Sequence, residues 1–188
     1  MPEPTRRPSD AFTAWQATLG YISTHHSPDA VLELQVYPSD TGEVQWGAAV
    51  SWGVHLERVR GADSIGRALD RLWAEVVRFH EIFLEPADAV RSPAGYTDYL
   101  DVNTQDILHR LIWTANRAFV QDWSMVIVYQ PTEMPEMRVQ IRLLAMQRTL
   151  QIGGRGPSLI DAARKTFRNA APAFVKDVMT DSDYESNQ

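Results

Sequence analysis

From Val44 to Trp52 the chain alternates without a break. Val44, Trp46, Ala48, Val50 and Trp52 fall on one side; Glu43, Gln45, Gly47, Ala49 and Ser51 fall on the other. A period of two with one apolar side marks a half-buried strand of an antiparallel sheet. Such a strand needs hydrogen-bonded neighbours along its edges and an apolar layer over one face. The residues around it have to supply both.

The neighbours are legible on either side. Val31 to Tyr37 is predicted as a strand, with Leu32, Leu34 and Val36 inward, and Pro38 to Gly42 has turn chemistry. Gly53 permits a tight turn into a third strand, Val54 to Val59. The covering layer comes from helices. Ser9 is placed to cap a first helix whose Phe12, Trp15, Leu19 and Ile22 share a face, ended by His25 to Pro28. Asp63 or Ser64 caps a second, with a broad stripe of Ile65, Leu69, Leu72, Trp73, Val76, Val77, His80 and Phe83.

The same plan recurs downstream. Asn103 or Thr104 is read as the cap of a helix carrying Leu108, Leu111, Ile112, Ala115 and Phe119. Met125 to Tyr129 is a strand, Pro131 to Glu136 a turn. Met137 to Met146 is an alternating strand, with Arg138, Gln140 and Arg142 on its polar side, and Arg148 to Ile152 is a third strand. Gly153 to Ser158 is read as a turn into a last helix along Leu159, Ala162, Ala163, Phe167, Ala170 and Phe174, which Pro172 should bend or end. At a shift of about 93 positions Leu56 meets Leu150, Ser64 meets Ser158, Ala68 meets Ala162 and Trp73 meets Phe167. The expectation is an α+β protein of two similar α-β-β-β-α halves, an internal pseudo-duplication with antiparallel sheets covered by helices. The divisions are a disordered lead at 1–8, a first half at 9–85, a connection at 86–102, a second half at 103–176 and an acidic disordered tail at 177–188. The sheets either join into one or pack as a pseudo-dimer.

Composition limits the chemistry. The chain has 188 residues and no cysteine, which removes disulfides, thiolate metal sites and Cys nucleophiles. The net charge of −6 opposes broad attraction to nucleic acid or anionic lipid. No stretch approaches the roughly 20 apolar residues needed to span a bilayer. A cytoplasmic protein without a membrane partner is the expectation.

The motif candidates are thin. His80-Glu81 begins like a zinc-protease helix motif, but Leu84 stands where the second His must be. Asp101-x-Asn103-x-Gln105 opens like a calcium loop, yet Asp106 holds the glycine position and Ile112 the glutamate position. Gly153-Gly154-Arg155-Gly156 lacks both phosphate-loop and dinucleotide-loop spacing. No metal, cofactor or catalytic residue is assigned. Asp106 and His109, one helical turn apart, together with Tyr99, would form a small-molecule site if they lay at the junction of the halves. The basic residues of the second half are the main binding candidates: Arg138, Arg142, Arg148, Arg155, Arg164, Lys165 and Arg168.

Gly154, Gly156, Ser158, Ala162 and Ala163, within an α-β-β-β-α order, resemble the last strand, turn and second helix of a double-stranded RNA-binding domain. In that family lysines at the start of the second helix grip phosphates. Here those positions hold Leu159, Ile160 and Asp161, and Ile65, Gly66 and Arg67 in the first half. Arg155, Arg164, Lys165 and Arg168 would have to replace them. In size, acidity and element mix the chain also resembles type III secretion chaperone-like proteins, which implies a protein-binding or dimeric role. The expected function is a non-enzymatic binding or assembly module acting through protein–protein contacts, a homodimer among them. The alternatives are the junction site and a nucleic-acid surface on the second-half arginines.

Overall fold

The computed structural model describes residues 11–80, 100–145 and 150–185. The lead at 1–8, the Ser9 cap, Tyr99 and Arg148 lie outside them, as does most of the 86–102 connection. The element order is α1 (Ala11–His25), β1 (Val31–Pro38), β2 (Val44–Trp52), β3 (His55–Ala62), α2 (Ile65–His80), α3 (Val102–Phe119), β4 (Ser124–Tyr129), β5 (Val139–Ala145), β6 (Leu150–Gly156) and α4 (Leu159–Glu185).

All six strands form one antiparallel sheet in the order β3-β2-β1-β4-β5-β6. The two three-stranded parts therefore join edge to edge through β1 and β4. Across that seam Leu32 faces Tyr129, Leu34 faces Ile127 and Val36 faces Met125. All six are buried on the side that carries the helices.

The strand period fixes which side that is. Leu32, Leu34, Val36, Trp46, Ala48, Val50 and Trp52 enter a single core with Met125, Ile127, Tyr129, Val139, Ile141 and Leu143. The apolar stripes of all four helices enter the same core. The alternation from Val44 to Trp52 thus has the expected outcome, with Trp46 and Trp52 both buried. Trp15 anchors α1 on α2: its Nε1 donates to the Leu69 carbonyl at 3.2 Å, and its ring meets Trp73 edge-on at 5.8 Å. Among the described residues, no helix lies on the opposite face of the sheet. Ala49 and Val126 point that way and stay outside the main core, yet both are buried.

Local chemistry sets the ends of the elements. Gly53 adopts φ +56 in a two-residue turn between the paired Trp52 and His55, a conformation that glycine takes without steric cost. Ser64 Oγ accepts from the Arg67 amide and caps α2. Ser158 Oγ accepts from the Asp161 amide at 3.3 Å and donates to its carboxylate at 2.6 Å, closing the first turn of α4.

Several expectations need correction. The glycine run is not a turn: Gly153 to Gly156 are the end of strand β6. Gly154 and Gly156 lie under α4, and a Cβ on Gly154 would stand 2.5 Å from the Thr166 nitrogen and 2.8 Å from the Ala162 carbonyl oxygen. The glycines are there so that helix and strand backbones can approach. The cap of α3 is Asp101, whose carboxylate accepts from the Asn103 and Thr104 amides, so the helix starts at Val102 rather than after Asn103. Arg138 is not on a strand; it closes a short 3-10 turn at Pro135–Met137, and β5 begins one residue later. Val77 leaves the stripe of α2 and is 44% exposed. Finally α4 runs through Pro172 to Glu185, so most of the supposed frayed tail is helical. Proline deletes one helical N–H, and because Pro172 is exposed, water can serve the orphaned carbonyl.

A basic groove at the β6 edge

Among the described residues β6 is the last strand of the sheet, with β5 as its one strand neighbour. In this register Gln140 faces Arg155, Arg142 faces Gly153 and Leu144 faces Gln151. These pairs lie on the helix-free face, because their neighbours Val139, Ile141 and Leu143 point into the core. Arg142 and Arg155 therefore project from the open side of the sheet.

The other side of β6 is set by α4. Its close approach over Gly154 puts the start of the Lys165 side chain against that glycine. Lys165, Arg168 and Asn169 follow at helical spacing and share one face of α4. Asn169 Nδ2 donates to the Gly153 carbonyl at 2.7 Å and ties helix to strand edge. Between these walls runs an open groove of about 660 Å³, lined by Arg142, Arg155, Lys165 and Arg168 with the amides of Gln140, Gln151 and Asn169.

Among the described residues no carboxylate lines this groove. The ion pairs found among the described residues, Arg67 with Asp63 and Arg110 with Asp106, lie elsewhere. Asp161, the acid in the first turn of α4, is engaged by Ser158. Arg142 Nε is buried and has no hydrogen-bond partner among the described residues. Four cations thus converge with nothing of opposite sign between them. The lining offers guanidinium, ammonium, amide and peptide groups. These groups bind anions.

Four of the seven basic candidates come together here: Arg142, Arg155, Lys165 and Arg168. Arg138 turns back on its own loop, where its Nε donates to the Glu133 carbonyl at 3.2 Å. Its charge also reaches Tyr129, whose pKa is nonetheless raised, because burial of the ring dominates. Arg164 turns toward the start of α3, where its charge helps hold the Asp101 carboxyl below its ordinary pKa. The larger causes of that lowering are the hydrogen bonds from the Thr104 side chain and backbone. The sequence reading passed over Gln151 and Asn169. The period of two through Gly153 and Arg155 would have flagged Gln151, and the i, i+4 spacing from Lys165 would have flagged Asn169.

Of the junction candidates, Tyr99 lies outside the described residues. Asp106 and His109 are exposed on α3, and Asp106 pairs with Arg110 at 3.0 Å. The seam itself is filled on its helix side by the β1 and β4 side chains. Among the described residues no group of three or more His, Asp or Glu is placed to hold a metal ion, and no helix is long and apolar enough to cross a membrane. No protein-family model matches the chain, and no curated protein matches it either.

Proposed function

We propose that the protein is a non-enzymatic binding module that takes an acidic segment of a protein partner in the groove between β6 and α4. One observation carries the proposal: Arg142, Arg155, Lys165 and Arg168 line a single open groove, and among the described residues no carboxylate stands in its walls. Like charges held together cost energy that an anionic partner relieves. A nucleic acid is the weaker fit. Its affinity comes mainly from phosphates neutralised along an extended basic track, and the net charge of −6 works against a long polyanion.

We also infer that the two halves are copies of one unit. Val31 and Ser124 open β1 and β4, 93 positions apart. Leu34 and Ile127, which face each other across the seam, are separated by the same 93 positions. Two copies of one unit paired through equivalent strands would be related by a two-fold axis near this pair, and the register is compatible with that reading. The duplication extends the binding proposal: the groove belongs to the second copy alone, and the matching edge strand β3 presents Arg58 and Arg60 instead.

The test is fluorescence anisotropy with labelled hexaglutamate at low and physiological salt, with an oligonucleotide of equal charge as comparator. Hexaglutamate should bind saturably and weaken as salt rises. Reversing two of the three exposed groove cations (Arg155→Glu with Arg168→Glu) should lower affinity about tenfold, since exposed ion pairs contribute up to about 1 kcal/mol each. Failure of hexaglutamate to bind, or tighter binding of the oligonucleotide, would refute the proposal.

A further inference from the structure

We propose that the acidic segment binds in extended form, as a seventh strand added to the outer edge of β6, with acidic side chains on both of its faces. The inference rests on the acidic-partner proposal and specifies its geometry.

The edge is the starting point. The Gly153 carbonyl accepts from Asn169, which stands on the side of β6 away from β5. In an antiparallel pair a residue turns both its N–H and its C=O the same way, and the direction alternates along the strand. Gly153 therefore turns its whole peptide outward, and Gln151 and Arg155 do the same. Asn169 occupies one of these outward groups and supplies the same N–H···O contact that an incoming strand would. The stretch from Gln151 to Arg155 is about 16 Å long, room for about five residues of an added strand.

The charges decide the sequence class. Side chains of an added strand point alternately to the two faces of the sheet. On the open face they meet Arg155, and Arg142 reaching across Gly153: the Arg142 Cγ lies 3.5 Å from where a Gly153 Cβ would sit, so its stem passes over the glycine. On the helix face they meet Lys165 and Arg168. Cations on both sides of the path favour acids at successive positions over acids at alternate ones. On the open face, the unpartnered Arg142 Nε is a donor that a glutamate carboxylate could satisfy once the side chains covering it shift.

Four peptides test this by anisotropy on the full chain, beside amide exchange of β6. Hexaglutamate with every internal amide methylated keeps its charge and loses its ladder donors; it should bind at least about tenfold more weakly than the parent. At equal charge, Ser-Glu-Glu-Glu-Ser should bind more tightly than Glu-Ser-Glu-Ser-Glu. Exchange at the Gln151, Gly153 and Arg155 amides should slow on binding hexaglutamate. Equal binding of parent and methylated peptide, with no change in exchange, would overturn the strand mode and leave the acidic-partner proposal standing. A preference for the alternating peptide would overturn the two-faced arrangement. Failure of the unmethylated peptide to bind would overturn both.

Discussion

Replacing Gly154 with alanine tests the packing that builds the groove. The added Cβ would stand 2.5 Å from Thr166 N, 2.7 Å from Lys165 Cβ and 2.8 Å from Ala162 O. None of these is the flexible end of a side chain, so relief requires β6 and α4 to separate by most of an ångström. Overpacking of this kind costs about 1–3 kcal/mol, and three rigid contacts place Gly154→Ala toward the upper end. Its φ is not positive, so the backbone accepts alanine and the unfolded chain loses freedom, which returns about 0.4–1 kcal/mol. The net expectation is a loss of about 2 kcal/mol, or roughly 4–8 °C in Tm for a chain of this size. Gly20 in α1 is the control, because nothing lies within 4 Å of its Cβ position. Gly20→Ala should stabilise by about 0.5–1 kcal/mol, since glycine is a poor residue inside a helix. Urea and thermal denaturation followed by far-UV circular dichroism measure both. Wild-type stability in Gly154→Ala, or equal losses in the two variants, would refute the close-approach argument.

Two further stability effects follow from single contacts. Trp15→Phe removes the hydrogen bond to the Leu69 carbonyl and leaves a gap beside Trp73 at a site only 1% exposed, so urea denaturation should show a loss of about 2 kcal/mol; a loss below about 0.5 kcal/mol would mean α1 is held by other contacts. Asp101→Ala removes the α3 cap and should cost about 1 kcal/mol at neutral pH. The Asp101 carboxyl titrates below its ordinary 3.8 because Thr104 and Asn103 donate to it, so its contribution is present above that value and is lost as pH falls through the lowered folded pKa. The gap between wild type and variant should therefore close in acid, below about pH 4; a gap that stays constant down to pH 2 would contradict the capping role.

What could be read from the sequence was what neighbouring residues decide. The stripe from Val44 to Trp52 was clear because Trp46, Ala48, Val50 and Trp52 share the face that enters the helix-covered core, which imposes a period of two. The glycine run misled because Gly-Gly-x-Gly has the composition of a turn; its cause is a helix backbone lying over it, which no local pattern reports. Pro172 misled for a related reason, since an exposed proline costs a helix less than a buried one. Pairing of β1 with β4 joins residues 89 to 97 positions apart, and no local signal specifies which edges meet. The groove was half legible. Charge picked out Arg142, Arg155, Lys165 and Arg168, but it picked out Arg138 and Arg164 equally. Only the end of β5 and the rotation of α4 separate those that converge from those that do not.

The middle of the sheet is also the place where the chain is most remote from itself. Each outer meander is knitted from consecutive strands, and each keeps its own helix pair, α1 with α2 and α3 with α4. Parting β1 from β4 would therefore split the one shared core down its middle and bare a strand edge on each side. Two molecules opened in this way and closed crosswise would, by topology, re-form the same strand pairs.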